Sequence, residues 1–321
     1  MTNITHTHEI PEGELMPPPA SYNGFSLLKG VTTSAAIGTV DQLANIRENL
    51  KLRHPMMYNL PGFNKVKGSD KKIALVGGGP SLKNTIHELK DYKTIISCGS
   101  VHDYLITNGI IPTYATNCDP SYVSAEYFRK SDTEVMYLIG TNSDKAVFKV
   151  LDGKQIAVWH CHSEEQEQEL VKIEAEYGRN YQGVGGGCTV GLRSISIALT
   201  LGYSNLHFFG FDSCMGDDGV THHAYDWQTE GEESSIDQVY KIQLGSKEGP
   251  NGKNFYVAGY QLAQLENFKQ FYTAHYGYFV PTFHGGGALS AYVDLIKSTT
   301  EYKEPTDEQS SVNERSELNE Q

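Results

Sequence analysis

The middle of the chain alternates between short apolar runs and longer stretches of mixed character. Ile73-Ala74-Leu75-Val76 is an apolar run that ends in glycines and reads as a buried strand. Further strands are expected at 94–98, 113–118, Val135–Ile139, Ile156–Trp159, Leu206–Phe209 and near 278–280. Between them the spacing predicts helices at 82–90, near 101–108, at 121–130, over Glu164–Tyr177, at 189–201, at 260–274 and at 288–297. A weaker helical spacing covers 40–53, and Pro55 and Pro61 end any regular pattern beyond it. Strand–helix alternation of this kind implies an α/β fold, a mostly parallel sheet with helices on both faces.

Three stretches fall outside the pattern. Residues 1–70 lack a sustained period and are expected to form a partly irregular N-terminal extension, with His6 and His8 in a solvated, mobile leader. Residues 213–256 are polar and glycine-rich, long for a loop, and therefore expected to be functional or partly disordered. After Thr300 the chain is charged and rich in Ser, Asn and Gln, which predicts a disordered tail over 300–321. The catalytic domain is expected over 71–299.

Composition narrows the classes of function. A formal net charge of −13 argues against a nucleic-acid binder, which needs a basic stripe. The five cysteines form no CxxC pair, so neither a disulfide framework nor a zinc ribbon is expected. No apolar run reaches the roughly 20 residues of a membrane span, and the polar, then proline-rich N-terminus does not read as a signal peptide. A cytoplasmic protein is expected; the oligomeric state is left open.

The candidate chemistry begins where the first strand ends. Gly77, Gly78, Gly79, Pro80, Ser81 and Lys83 form a turn that opens a helix, where bare N–H groups and the helix dipole suit an anion such as a nucleotide phosphate. The turn is neither a Walker A motif nor a full GxGxxG, because Leu82 stands at the third glycine position. A second glycine cluster, with Gly186, Gly187 and Thr189, opens the helix at 189–201, and a third lies at Gly285–Gly287. The first two are expected to face one ligand at the carboxyl edge of the sheet.

Asp119 precedes Pro120 and reads either as a helix cap or as a ligand to ribose or a divalent metal. Asp212 opens a loop carrying Asp217, Asp218, His222, His223 and Tyr225; these groups suit acid–base work or charge stabilisation, with Mg²⁺ held by oxygen ligands as a further option. His160 and His162 alternate on one strand and offer two candidate metal ligands, and Arg193 is either a phosphate contact or a salt-bridge partner.

Four segments, taken in order, carry a resemblance. They are Val76–Leu82, Asn108–Pro112 leading to Asp119-Pro120, Gly186–Val190 with Leu201-Gly202-Tyr203, and Gly210-Phe211-Asp212 leading to His223-Ala224-Tyr225. Together they resemble the MptE-like family, 6-hydroxymethylpterin diphosphokinase-like proteins, and are similar to the motility accessory factor (Maf) proteins and the bacterial sialyltransferases that use CMP-sialic acid. The resemblance implies a Rossmann-like, nucleotide-binding transferase with a small-molecule nucleotide donor and an unidentified acceptor. Its leading form is diphosphoryl transfer from ATP to a pterin-like hydroxymethyl group, with Mg²⁺, and with Asp119 or Asp212 on the metal. The alternative is a glycosyltransferase using a nucleotide sugar, and a third is a non-catalytic nucleotide-binding or interaction protein. The resemblance places the nucleotide on Gly77–Lys83, Asp119 and Gly186–Thr189, and in the two enzyme readings Asp212, His223 and Tyr225 are the catalytic candidates. Two departures from the sialyltransferase pattern stand out: Cys214 occupies an expected tyrosine position, and Ala258-Gly259-Tyr260 replaces an expected histidine segment.

Overall fold

Side chains alternate across each strand of the main sheet, and the two sets enter two different cores. A computed structural model describes residues 7–9, 39–60, 72–225, 239–244, 253–275 and 277–299. The first strand, β1 (Thr7–Glu9), lies in the extension expected to be partly irregular, and helix α1 (Thr39–Leu50) falls on the helical spacing read at 40–53. Next come β2 (Lys72–Val76), α2 (Leu82–Thr85), β3 (Ile95–Cys98), α3 (His102–Thr107), β4 (Tyr114–Asn117), β5 (Met136–Gly140), α4 (Lys145–Val150), β6 (Gln155–Cys161), α5 (Glu167–Glu176), β7 (Gly183–Val184), α6 (Val190–Thr200) and β8 (Asn205–Phe209). The chain continues through β9 (Val239–Leu244), β10 (Lys253–Ala258), α7 (Gly259–Ala274), β11 (Val280–His284) and α8 (Ala288–Thr299).

Eight strands pair in the order β11-β8-β2-β3-β4-β5-β6-β7, every pair parallel. Ile73, Leu75, Ile96, Leu138, Ala157, Trp159 and Phe208 pack with residues of α6, α7 and α8. Ala74, Val76, Ile95 and Phe209 face the other way, onto Leu82, Leu89, Val101 and Leu105 of the α2–α3 layer. Farther along that face Tyr137, Ile139, Ile156 and Val158 meet Phe128, Val147 and Phe148. Burial on both sides explains why these strands read as unbroken apolar runs. The fold is Rossmann-like α/β.

The strand order reverses between β2 and β8. From β2 the chain winds outward to β7, crosses back through α6, and lays β8 against the other side of β2. Ligands in open α/β sheets settle at such a reversal, outside the carboxyl ends of the strands.

Several elements differ from expectation. The helix expected at 82–90 is α2 followed by a 3₁₀ segment over Ile86–Asp91, and that expected at 121–130 is a 3₁₀ run over Tyr122–Phe128. The strand expected near 278–280 begins at Val280 and runs to His284. The polar stretch 213–256 is not all loop: β9 and β10 pair antiparallel within it, and β1 joins β9 in parallel to make a separate three-stranded sheet. Glu9 opposite Lys241 places His8 opposite Tyr240, so the leader is anchored at that point. The expected disordered tail, His6, and the segments 10–38, 61–71, 226–238 and 245–252 lie outside the described residues.

Candidate functional site

The glycine turn after β2 is sewn to the loop after β8. Gly77 N–H donates to the Phe209 carbonyl and Gly79 N–H to the Gly210 carbonyl, each at 2.8 Å. Ser81 then gives its backbone N–H and its hydroxyl to the two carboxylate oxygens of Asp212, at 2.7 and 2.6 Å. The N–H groups expected to be bare are therefore largely committed. The cause is topological, since the parallel β2–β8 ladder continues past the last strand residues. The helix that opens there is also short: four residues of α2 before the 3₁₀ segment give little dipole.

Asp212 is 5% exposed, and burial pushes its carboxyl above the usual aspartate range despite the two Ser81 hydrogen bonds. The third glycine cluster wraps the same carboxylate. A Cβ on Gly287 would lie 2.5 Å from Asp212 Cα, and one on Gly285 would lie 2.6 Å from Ser81 Cβ. The Leu289 N–H closes this side by donating to the Asp212 carbonyl at 3.0 Å. It is thus the third cluster, not the second, that joins the first. The second is held apart by Phe211, whose ring would meet a Cβ on Gly77 at 3.2 Å and one on Gly191 at 3.2 Å.

Beyond Ser81 and Asp212 opens a cavity of about 300 Å³. Pro80, Ser81 and Asn84 line one wall, and Asp212 with Cys214–Asp217 a second. Residues Lys253–Tyr256 of β10 and the Gly285-Gly286 turn complete it. Lys83 is exposed and points no charge into this lining; Lys253 supplies the cation instead. No sequence motif marked Lys253, because β10 lies in the stretch that read as loop.

On the other side of the turn, His223-Ala224-Tyr225 covers Gly78. Ala224 N–H donates to the Gly78 carbonyl at 2.9 Å, and His223 Nδ1 donates to the same oxygen at 3.3 Å. A Cβ on Gly78 would sit 2.8 Å from Tyr225 Oη and 2.9 Å from His223 Nδ1. Tyr225 donates to Ser100 Oγ at 2.8 Å and stacks between Tyr104 and His223, with centroids at 4.8 and 5.2 Å. Burial, with the neighbouring His222 ring, lowers the His223 pKa to about 4, so the imidazole is neutral; its Nδ1–H is spent on Gly78, which leaves Nε2 as the basic nitrogen. Burial raises the Tyr225 hydroxyl, which stays protonated. Ser100 and Tyr104 carried no signal in the sequence.

The remaining candidates have partners elsewhere in the fold. Asp119 Oδ1 accepts the Ser121 N–H at 2.9 Å, and Ser121, not Asp119, caps the following 3₁₀ run. Thr189 caps α6 by accepting the Leu192 N–H, while Gly186 and Gly187 adopt φ of 118° and 103°. Arg193 donates to the carbonyls of His162 and Val184 at 2.9 and 2.6 Å, which ties β6 to β7. His160 lies between Thr141 and Glu174, and His162 meets Tyr181. Among the described residues, no three or more His, Cys, Asp and Glu side chains are placed to hold a metal ion. Asp119 follows β4 and Asp212 follows β8, three strand spacings or about 14 Å apart, so the two cannot share one Mg²⁺.

The family model described as 6-hydroxymethylpterin diphosphokinase MptE-like matches residues 41–218. The chain belongs to the MptE-like family. Among solved structures, this MptE-like chain is similar to the Maf glycosyltransferase from Magnetospirillum magneticum AMB-1. The two share 16% identity and a TM-score of 0.55, over 83% of this chain and 42% of that one. The MptE-like chain therefore spans less than half of that enzyme's length, and the likeness bears on fold alone. A mammalian sialyltransferase in complex with Gal-beta-1-3GalNAc-ortho-nitrophenol matches 66% of this chain and 84% of its own at 12% identity, with a TM-score of 0.33 that carries no argument. No curated protein matches. No described helix is long and apolar enough to cross a membrane.

Proposed function

We propose that this MptE-like protein is a nucleotide-dependent transferase whose donor phosphates lie along the glycine turn, beside His223 and Tyr225. The acceptor would enter the cavity beyond Ser81 and Asp212. The observation that carries the reading is the packing over Gly78, where the missing side chain lets the Tyr225 phenol and the His223 imidazole close directly onto the backbone of the glycine turn. On this reading the Tyr225 hydroxyl turns from Ser100 Oγ to donate to a bound phosphate, while His223 stays on the Gly78 carbonyl and holds the phenol in place by stacking.

Family membership favours diphosphoryl transfer from ATP to a hydroxymethyl group on a pterin-like heterocycle. The cavity suits such an acceptor: Asn84, Asn254 and the two aspartates offer hydrogen bonds to a flat heterocycle, and Phe255 and Tyr256 offer ring surface. In this step the acceptor oxygen forms a bond to the β-phosphorus, the bond to AMP breaks, and Asp212 takes the hydroxyl proton. Its raised pKa suits that role. Lys253 balances charge at the cavity mouth. Catalysis rests on positioning and charge stabilisation.

A second reading, glycosyl transfer from a nucleotide sugar, draws support from the groups at Gly78, which are hydroxyl and imidazole rather than carboxylate. A thermal-shift panel of ATP, CMP, UDP and nucleotide sugars, with and without Mg²⁺, separates the two, followed by AMP detection with a hydroxymethylpterin acceptor. Protection by ATP together with AMP release supports the first. Protection by CMP or UDP species alone moves the assignment to the second, and protection without consumption of any donor indicates a binding protein.

A further inference from the structure

Behind the glycine turn, on the face of the sheet that carries α2, three polar atoms from three segments converge. His207 of β8 and His284 of β11 project from the same face, because Thr282 pairs with His207 and His284 is two residues farther on. Tyr92, just past the 3₁₀ segment, lies across them. Its Oη is 2.8 Å from His207 Nδ1 and 3.1 Å from His284 Nε2, and the two nitrogens are 2.9 Å apart. On the far side of the ring, His284 Nδ1 lies 2.7 Å from Glu88 Oε2.

We propose that His207, His284 and Tyr92 form a binding site for a divalent first-row transition-metal ion, with Glu88 orienting His284. The placement of protons favours a cation here. Glu88 as a carboxylate only accepts, so Nδ1 of His284 carries a proton, and Nε2 is the nitrogen turned toward Tyr92 and His207. A carboxylate on the outer nitrogen is the usual device for aiming a metal-ligating histidine. The three atoms form a triangle with edges of 2.8, 3.1 and 2.9 Å. One cation at its centre engages all three atoms at once.

Size and access agree with that reading. Metal–nitrogen bonds of about 2.1 Å give ligand–ligand edges of about 3.0 Å on an octahedral face, close to the edges of this triangle. The His284 side chain is 19% exposed and Glu88 38%, which leaves a path for the ion and room for water ligands. Phe209 stacks on the His284 ring at 4.0 Å and fixes its plane. The Lys72 ammonium, 4.0 Å from the centre of the Tyr92 ring, opposes a cation, and the nearby carboxylates Glu88 and Asp91 offset it. Two imidazoles and a phenol select zinc, nickel or copper over magnesium or calcium. His284 directly precedes Gly285, so a bound ion would tie β8 and β11 to the segment behind the cavity.

The test uses the full chain, stripped with EDTA, loaded with Cu²⁺ or Zn²⁺, desalted and assayed for metal by mass spectrometry. One equivalent of metal is expected, and the copper form should show a visible phenolate-to-copper charge-transfer band. Tyr92→Phe should abolish the band while metal is retained, and Glu88→Gln should weaken affinity about 10–100-fold. His207→Ala combined with His284→Ala should remove the metal. His6→Ala combined with His8→Ala should not, which excludes the N-terminal histidines. Retention of metal by the folded His207/His284 variant, or absence of the band in the copper-loaded parent, would overturn the site. If that double variant does not fold, the Tyr92→Phe spectrum and the Glu88→Gln affinity decide.

Discussion

At the β5–β6 end of the sheet, Thr141 Oγ1 meets His160 Nδ1 at 2.8 Å, and His160 Nε2 lies 3.0 Å from Glu174 Oε1. Arg179 grips the same carboxylate through two hydrogen bonds of 2.7 Å. Thr141, His160 and Glu174 are fully buried. At the β2–β8 reversal the polar groups are as numerous, but they border a cavity and a turn covered by two rings. The two clusters share residue types that suggest chemistry, and a Thr–His–Glu series even resembles a relay. What separates them is access. The first is sealed on all sides and excludes any substrate; the second holds Asp212 just inside a cavity wall. A constellation of reactive side chains is a site only where a ligand can arrive.

The sharpest way to break this contrast is Glu174→Gln. Burial opposes the Glu174 charge, and contacts with His160 and Arg179 outweigh it, so the carboxyl titrates below its ordinary range. Loss of the charge should cost about 3 kcal/mol of stability in urea denaturation, with ligand affinity of the folded protein unchanged. A loss below about 1 kcal/mol would place the cluster with ordinary surface pairs. Next, Gly287→Ala must push against Asp212 backbone, and should cost about 1–3 kcal/mol while abolishing ligand protection in thermal scans. Gly78→Ala meets the Tyr225 hydroxyl and the His223 ring, which hydrogen bonds and stacking hold in place. It should lower the melting temperature less than Gly287→Ala does and weaken nucleotide binding tenfold or more, about 1.4 kcal/mol by calorimetry.

His223 gives the contrast a pH signature. Its folded pKa is depressed from 6.5 to about 4, so between those values the unfolded chain binds a proton that the native state refuses. The stability it contributes is complete above pH 6.5 and is lost as pH falls toward 4. His223→Gln should flatten that part of the stability profile, read as the difference between the two proteins. The smallest effects belong to the lysines. Lys253→Ala should weaken ligand binding several-fold, whereas Lys83→Ala should change neither binding nor stability.

Much of the sheet is legible from pattern because β2 to β6 and β8 are buried on both faces. Their apolar runs end at glycine or at polar residues, and so mark the carboxyl edge as well. β9 and β10 are not legible, since Val239–Leu244 and Lys253–Ala258 are six residues each, mix polar with apolar positions without a clean period, and border the polar, glycine-rich sequence 245–252. α4, six residues long, is too short to display a period. The candidate residues at Gly77–Ser81, Asp212, His223 and Tyr225 do come together. Their pairing is invisible in sequence: Ser81 and Asp212 lie 131 residues apart, and only the insertion of β8 beside β2 joins them. Asp119 and Arg193 read from sequence either as ligands or as local structural partners, and Thr189 as a ligand, because the same oxygens and N–H groups serve both uses; the structure shows the local partners.

The place of β8 also has a consequence for the nascent chain. β2 has β3 on one side within the next twenty or so residues, yet its other side waits for Asn205–Phe209. During synthesis an apolar strand therefore carries an open hydrogen-bonding edge until nearly two-thirds of the protein has been made, and such edges invite pairing with other chains. A ribosome stalled before residue 205 would release a fragment carrying that hazard. The protein's yield in a cell should thus depend on chaperone supply and on translation speed through the β3–β7 segment more than on the stability of the finished fold.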